Sequence, residues 1–363
     1  MDSIRRFVGI DQSKKSFEVC IVSDDGPDIK RHKFLTTSEG IHSFTKILKS
    51  TDVVGLETGN NAFRLAKHIL NQCLCTVHVL NAGDLHVIFR SLKKTDKEDA
   101  LRIARFLRRH PEQELPTVRI PDDEEMAMRA LASHQESLQK MRTHRINELH
   151  SLLWNAGETT PGKNSLKRKA IRQEYMNLLN NAYRNIAYRI CEAIDLLEQQ
   201  EKEIVKEQQE MLRKRNEEVA ISMSMPGVGI QTAFVIAAFL GNMERFGDKR
   251  QLGHYSGFTP KVDCSGIQNR YGHITKKGPK QLRRVMNQAA WGSLRSVDGD
   301  RFREMYERIK ARRGAKIAIV AVSRKMLELL YIMHTRQQLY DGCVDHEKLI
   351  KKMRFYGILK KSA

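Results

Sequence analysis

As far as about residue 109, short apolar runs of two-residue period alternate with segments whose apolar residues are three or four apart. The first pattern predicts β-strands and the second predicts amphipathic helices. Strands are predicted at residues 7–10, 17–22, 32–35, 53–56 and 76–80. Helices are predicted after Ser38, which suits an N-cap, and at 63–70 and 96–109. This alternation predicts an α/β domain that opens with an antiparallel meander.

Long helices are predicted from about residue 124 to residue 215. In the second half of this region, apolar residues are separated by steps of three, four and seven, as in a coiled-coil seam. The seam residues are Tyr183, Ala187, Ile190, Ile194, Leu197, Ile204 and Met211, with Glu201 and Gln208 as polar interruptions. Pro161 and Gly162 break the region, which favours a helical hairpin or coiled-coil arm. Two interpretations remain open: a helix pair packed on its own chain, or an arm that joins copies.

The last part of the chain, from about residue 216, is predicted to be mostly helical. Two helices, at 219–224 and 232–240, flank the segment Met225-Pro-Gly-Val-Gly229. Such a connection resembles a helix-hairpin-helix, in which the backbone N–H groups near Gly227 and Gly229 bind a DNA phosphate. A tight helix turn requires the same glycines, so this signal is weak. We divide the chain into segments 1–115, 116–215 and 216–340, with a basic and poorly patterned tail at 341–363.

Composition narrows the choice of partners. The 363 residues carry a formal net charge of +20, which is typical of a protein that binds a polyanion through phosphate contacts. A basic protein without such a partner is the alternative. No apolar run approaches the ~20 residues that span a bilayer, and the first residues lack a signal-peptide pattern. Six scattered cysteines favour reduced thiols. We therefore expect a cytoplasmic, nucleoid-associated protein with no membrane partner.

Four acidic residues form the strongest candidate site. Asp11 and Glu57 each end a predicted buried strand, and Asp96 and Asp99 lie three residues apart at a predicted helix start. Carboxylates from these positions could hold two Mg²⁺ ions roughly 4 Å apart for phosphoryl chemistry. Each acid also has a structural interpretation: Asp96 suits an N-cap, and Asp99 suits the positive end of a helix dipole. A metal site is therefore indicated only by the joint placement of these acids. An unpaired charge at the end of a buried strand is costly in free energy unless a metal ion neutralises it.

These acidic segments, with several later ones, resemble the DEDD-type insertion-sequence transposases of the IS110 family. The N-terminal segments are Val8-Gly-Ile-Asp11, Leu56-Glu-Thr-Gly59 and Lys94-Thr-Asp-Lys-Glu-Asp-Ala100. The later ones are Met225-Pro-Gly-Val-Gly229, Phe258-Thr-Pro260, Ser265-Gly266, Ile274-Thr-Lys-Lys-Gly278 and Leu282-Arg-Arg284. The resemblance implies a RuvC-like (RNase H-like) N-terminal domain, a helical coiled-coil middle and a mostly α-helical transposase domain that follows it.

By this resemblance, Asp11, Glu57, Asp96 and Asp99 would hold the metal, and Ser265 would form a phosphoserine link to DNA. The resemblance also implies a structured bridge RNA that pairs with both donor and target double-stranded DNA. It further implies a tetramer, a dimer of dimers, in which different copies supply the acids and the serine. The sequence does not name the guide RNA or the target.

The residue types at Ser265 and around it also bear on phosphate chemistry without the resemblance. A serine needs a base or a metal before it attacks phosphorus, and Gly266 offers a bendable setting. Without the acidic segments, a turn serine would be the better interpretation, and Cys264 beside it is a rival thiol. Phosphate-binding candidates are Arg270, Lys276, Lys277, Lys280, Arg283 and Arg284, four of them (276, 280, 283 and 284) predicted on one helix face. Tyr255, Phe258 and Trp291 could stack on bases, but a position in the core is the better interpretation for all three.

Three functions remain open. The leading one is an Mg²⁺-dependent, RNA-guided recombinase that moves its own insertion sequence. The second is a RuvC-like nuclease that cuts with activated water and does not need Ser265. The third is an oligomeric nucleic-acid-binding protein without catalysis, which the four carboxylates argue against because they repel a polyanion unless metals intervene.

Overall fold

The structure, a computed structural model, describes residues 5–26, 28–59, 61–88, 96–158, 161–162, 164–265, 268–341 and 346–359. Within these ranges, the side chains of residues 86–88, 96–97, 262–265, 268–271 and 346 lie outside the description. The chain divides into two compact units, Met1–Asp122 and Asp123–Ala363. None of the described helices is both long and apolar enough to cross a membrane.

The first unit is a mixed five-stranded sheet with helices on it, as the sequence predicted. Its strands are β1 (Arg6–Gln12), β2 (Ser16–Ser23), β3 (Ile29–Leu35), β4 (Val53–Glu57) and β5 (Thr76–Leu80). Their order is β3-β2-β1-β4-β5. The first three strands form the expected antiparallel meander, and β4 and β5 continue the sheet in parallel. This α/β arrangement is compatible with the RNase H-like domain that the resemblance implies.

Four helices complete this unit: α1 (Ser38–Thr45), α2 (Ala62–Gln72), α3 (Ala82–Ile88) and α4 (Asp96–Arg109). The bounds of α4 agree with the prediction. The cap of α1 was predicted one residue late, because Thr37 rather than Ser38 accepts the hydrogen bond from the amide of Gly40. Val8 and Ile10 pack toward α1 and α2, whereas Phe7 packs with residues of α4. The two faces of β1 therefore contribute to different cores.

The second unit begins with a long helical pair. It comprises α5 (Asp123–Asn155), α6 (Lys169–Leu178) and α7 (Asn181–Arg213). The predicted seam of α7 is real, since Ala187, Ile190 and Ile194 are buried against α5 and α6 within this chain. Both polar interruptions have partners on α5: Gln208 donates to Gln135 at 2.9 Å, and Glu201 pairs with Arg142 at 3.0 Å. A coiled coil between copies is not confirmed and remains a prediction.

A helical core follows the arm. Its helices are α8 (Asn216–Ser224), α9 (Ile230–Leu240), α10 (Lys249–Ser256), α11 (Lys280–Ser293), α12 (Asp300–Arg313), α13 (Ala315–Thr335) and α14 (His346–Phe355). Every residue of helix α9 except Gln231 is buried. Part of the predicted unpatterned tail is the helix α14, which buries Leu349 and Met353 in the same core.

A two-stranded ribbon projects from this helical core. It consists of β6 (Pro260–Ser265) and β7 (Gln268–Ile274), paired antiparallel with an irregularity between Pro260 and Val262. These strands were not predicted, since the sequence pattern indicated only a turn at this position. The ribbon matters for function because the proposed nucleophile lies on it.

Candidate functional site

Asp11 and Glu57 lie side by side at the edge of the sheet that is formed by the carboxyl ends of β1 and β4. Strands β1 and β4 pair in parallel, and Ile10 is opposite Leu56, so the next residue on each strand is one of the two acids. Side chains alternate along a strand, so Asp11 shares a face with Phe7, and Glu57 shares a face with Val53. Phe7 and Val53 pack with residues of α4. Both acids therefore lie on the face that α4 covers.

Helix α4 directs its N-terminus toward the same edge. Its first half contacts the middle of the sheet: a Cβ on Gly9 would lie 2.1 Å from the carbonyl oxygen of Ala100. Its second half packs beside Phe7 and Val53, at the opposite end of β1 and β4. The helix thus runs antiparallel to these strands, and Asp99, which precedes Ala100, lies on the Asp11 side. The backbone thus places Asp11, Glu57 and the first turn of α4 at the same end of the sheet, and their convergence on a metal remains a prediction.

The acidic side chains that the structure describes do not form a closed metal cluster. Asp99 pairs with Arg102 at 3.0 Å, one turn along α4. Asp96 is the first residue of α4, and its side chain lies outside the description. Among the side chains that are described, no three of His, Cys, Asp or Glu come together closely enough to hold a metal ion. The donor set consists of carboxylates only, which suits a hard cation such as Mg²⁺; for Asp99, binding would replace the contact with Arg102.

Glu18 is a further acid at this edge that the sequence analysis missed. It is the cross-strand partner of Asp11 in the β1–β2 hairpin, and residues paired in this way project to the same face. It is only 9% exposed and pairs with Lys33 of β3 at 3.0 Å. The predicted antiparallel pairing of strands 7–10 and 17–22 could have identified it, since Glu18 lies opposite Asp11 in that hairpin.

Ser265 is the last residue of β6, next to the tip of the ribbon. It pairs with Gln268, so only Gly266 and Ile267 connect the strands. The side chains of Ser265, Cys264 and Arg270 lie outside the description. Five residues separate Ser265 from Pro260, which corresponds to about 16 Å of extended strand.

The base of the ribbon is tied to the helical core by backbone contacts. The amide of Thr275 donates to Thr259 and that of Lys276 donates to Gly257, at 2.8 and 3.1 Å. Arg283 reinforces the junction: its Nη1 contacts the carbonyl oxygens of Ser256, Lys277 and Gly278 at 2.9–3.1 Å. Burial lowers the pKa of Arg283. Arg283 thus holds the base of the ribbon together, a role that helical spacing alone did not reveal.

The predicted basic helix face is divided in the structure. Helix α11 begins at Lys280, so Lys276 and Lys277 lie in the preceding loop, where Lys276 has a positive φ of 55°. The expectation that Lys276 shares the helix face is therefore wrong. Arg284 donates to Gln139 of α5 at 2.9 Å. Exposed ammonium groups in this segment belong to Lys276, Lys277 and Lys280.

The glycine-rich connection joins α8 to α9 as expected. Gly227 has φ of 82°, and a Cβ there would lie 2.1 Å from the carbonyl oxygen of Ala289 on α11. Packing therefore requires glycine at this position. Gly229 is the N-cap of α9 and has no capping side chain. The contact of these glycines with a DNA phosphate remains a prediction.

Two of the three aromatic residues have the environment expected for them. Phe258 is buried, and the hydroxyl of Tyr255 donates to the carbonyl of Phe239 at 2.9 Å. Trp291 differs: it is 41% exposed, and its ring centroid lies 5.6 Å from that of Tyr306 in an edge-to-face arrangement. The expectation of a core position for Trp291 was wrong because helical spacing did not reveal which face of α11 is open.

Comparison with known proteins identifies the family. A transposase model named for the DEDD transposases of IS110 matches residues 8–156, and a second, for the transposase IS116/IS110/IS902 family, matches residues 219–307. The chain belongs to the IS110 family of DEDD transposases. The first match contains all four predicted acids and the second contains Ser265. Membership implies an enzyme that cleaves and transfers DNA.

Full-length relatives agree with this family. The transposase for insertion sequence element IS1328 of Yersinia enterocolitica is 24% identical, over 92% of this chain and 98% of the relative. The transposase for IS1111A of Coxiella burnetii is 25% identical, over 92% and 91%. A pilin gene-inverting protein of Moraxella bovis is 22% identical, over 93% and 98%. These IS110-family likenesses extend through the arm between the two matched segments.

Proposed function

We propose that this chain is the transposase of a mobile insertion sequence and that it cleaves and rejoins DNA through a phosphoserine link at Ser265. In this proposal, Asp11, Glu57, Asp96 and Asp99 hold a pair of Mg²⁺ ions. The observation that carries the proposal is the meeting of Asp11, Glu57 and the N-terminus of α4 at one sheet edge. When bound, the cations would offset the charge that develops on the scissile phosphate.

Ser265 supports a covalent mechanism by its position near the tip of a projecting ribbon. In cleavage, its Oγ forms a bond to the scissile phosphorus while the bond from that phosphorus to a deoxyribose oxygen breaks. The Oγ proton passes to a base, and the departing oxygen takes up a proton. Rejoining reverses these steps, with a deoxyribose hydroxyl as the attacking group.

The protein's own residues would position the DNA. Lys276, Lys277 and Lys280 are exposed beside the base of the ribbon and would contact backbone phosphates. Arg270 on β7, and the amides near Gly227 and Gly229, are proposed to do the same. Arg283 and Arg284 act through the ribbon base and α5, so we propose that they position these contacts.

A guide RNA and assembly into a dimer of dimers complete the proposal. They follow from the resemblance to bridge-RNA-guided members of the family, and the net charge of +20 agrees with a large nucleic-acid partner. The long pair α5 and α7 offers a surface for joining copies, with Met141 and Leu196 each about half exposed at 44% and 56%. Purifying the protein with the DNA that flanks its gene and sequencing any bound RNA tests the guide.

The serine is tested with end-labelled DNA from the ends of the insertion sequence. We expect the unaltered protein, supplied with Mg²⁺, to form a protease-sensitive protein–DNA adduct that resists denaturing electrophoresis. Ser265→Ala should remove the adduct while DNA binding persists, and Asp11→Asn should do the same by disabling the metal site. Ser151→Ala, an exposed serine of the arm, is the matched control and should leave the adduct unchanged.

The alternatives predict different products. A RuvC-like nuclease that uses activated water would release free DNA ends in Ser265→Ala at the normal rate. A binding protein without catalysis would give neither adducts nor free ends with Mg²⁺. Adducts at full yield in Ser265→Ala would exclude that residue as the nucleophile.

A further inference from the structure

The connection between α12 and α13 carries a dense set of exposed cations. The segment Lys310-Ala-Arg-Arg-Gly-Ala-Lys316, which we call the basic turn, contains four cations and no acid, and each of its residues is exposed. Gly314, with φ of 80°, is the single residue between the two helices, which pack against each other. The turn lies just beyond residue 307, where the family match ends.

Ion pairing accounts for many of the cations near this turn but not for all of them. Arg303 pairs with Asp300, Lys310 with Glu307 and Arg324 with Glu328. By contrast, the structure gives Arg312, Arg313 and Lys316 no ion pair or hydrogen bond with any residue that it describes. Three neighbouring, exposed cations repel one another, and a bound polyanion would relieve that repulsion.

The dipoles of α12 and α13 distinguish cations that stabilise a helix end from a cation that does not. Cations in the last turn of α12 are favourable there because the C-terminus of a helix carries partial negative charge. Lys316 has the opposite setting: it lies in the first turn of α13, at the positive end of a 21-residue helix. The N-cap of α13 is Gly314, which has no side chain to accept from the exposed first-turn amides. Helix stability therefore gives no reason for Lys316, whereas an anion would meet both the ammonium group and those amides.

We propose that the basic turn binds backbone phosphates of a nucleic acid. Arg312 and Arg313 approach the phosphates from the end of α12, and Lys316 and the first amides of α13 approach them from the start of the next helix. Contacts to the backbone carry no sequence preference, so the turn positions the strand and does not select it. This inference deepens the proposed function, on which it rests for the class of partner.

The test compares two variants that lose the same charge. Arg313→Gln with Lys316→Gln removes two cations of the turn, and Lys202→Gln with Lys206→Gln removes two exposed lysines from α7, which has Glu201, Glu203 and Glu207 beside them. Each protein is titrated, over a series of salt concentrations, with a DNA duplex and a hairpin RNA that have equal numbers of phosphates. The logarithm of the binding constant is plotted against the logarithm of the salt concentration.

We expect the slope of this plot to become shallower by about 2 for the basic-turn variant, with at least one probe, and to be unchanged for the control. The probe that shows the change identifies the strand as DNA or RNA. Unchanged slopes with both probes, or equal changes in the two variants, would overturn the inference. The single variant Lys316→Gln is the control for folding. Removing a cation from the first turn of α13 should not lower its melting temperature. If this variant binds as tightly as the unaltered protein, that result would count against the phosphate contact at Lys316.

The result of the salt titration can be distinguished from the result of the adduct experiment that tests the proposed function. Ser265-dependent adducts together with an unchanged slope would contradict the basic turn only. Failure of the unaltered protein to bind either probe at low salt would contradict the proposed function and this inference with it.

Discussion

At the residue scale, a half-buried histidine shows how packing controls protonation. His334 of α13 is half-buried, and its Nε2 is 2.8 Å from the hydroxyl of Ser222, a residue that is 2% exposed. Burial lowers the pKa of His334 to about 4. The imidazole is therefore neutral in the folded protein at neutral pH, and a charge there would have to be buried.

This shift predicts a loss of stability in acid. As the pH falls through about 6.5, the unfolded chain binds a proton at His334, whereas the folded chain does so only near pH 4. The unfolded state is thus favoured increasingly between these values, by about 3 kcal/mol in total. Denaturant unfolding at several pH values should show His334→Gln losing less stability across this window than the unaltered protein. Parallel profiles for the two proteins would contradict the assignment.

Other residue-level predictions succeeded only where a local pattern fixed the direction of the side chain. Strand alternation puts Asp11 and Glu57 on one face, and the parallel pairing of β1 and β4 brings them together. Helical spacing is a weaker guide. Helical spacing placed Arg283 on a DNA-binding face. In the structure, its guanidinium instead donates to three carbonyl groups, those of Ser256, Lys277 and Gly278. These carbonyls need a donor, and α11 supplies it.

At the scale of elements, the strength of the local signal decided what the sequence could predict. Helix α4, of fourteen residues, was predicted with its observed bounds because Ala100, Ile103, Ala104 and Leu107 repeat at helical spacing. The ribbon β6–β7 was missed. Its strands are short and polar, and they are stabilised by pairing with each other, so they carry no apolar alternation that a sequence pattern can detect.

The packing of α4 on β1 makes Gly9 a sensitive position. A Cβ there would lie 2.1 Å from the Ala100 carbonyl and 2.5 Å from the Ala104 amide nitrogen, and these backbone atoms cannot rotate away. Gly9→Ala should therefore displace α4 and lower the free energy of unfolding by about 3 kcal/mol. Because Asp96 and Asp99 move with α4, adduct formation should fall even at temperatures where the variant remains folded.

The matched control is Gly26→Ala in the same unit. A Cβ at Gly26 meets only the Asp28 amide nitrogen, at 3.9 Å, so chemical denaturation should show little change in stability. If Gly9→Ala were as stable and as active as Gly26→Ala, the close approach of α4 to β1 would not be what positions the acids.

At the scale of the whole molecule, the candidate chemistry is divided between the two units. The four acids belong to the unit that ends at Asp122, whereas Ser265 and the basic turn belong to the unit that begins at Asp123. The sequence shows a change from alternating strands and helices to an almost entirely helical pattern, but its division into segments 1–115, 116–215 and 216–340 with a tail at 341–363 remains a prediction. It could not anticipate where the basic groups act, since charge alone does not distinguish an ion pair such as Arg102 with Asp99 from a free cation.

The division predicts that a divalent cation stabilises the two units unequally. A ligand that binds only the folded state of one unit raises the stability of that unit, by about 2.7 kcal/mol at a concentration of 100 times its Kd. Hydrogen exchange with and without Mg²⁺ should therefore show slower exchange in β1, β4 and α4 and no change in α9 or α13. Asp11→Asn should abolish this protection, whereas Ser265→Ala should retain it. Equal protection of both units, or protection that survives Asp11→Asn, would mean that the cation binds elsewhere and that these acids are not its ligands.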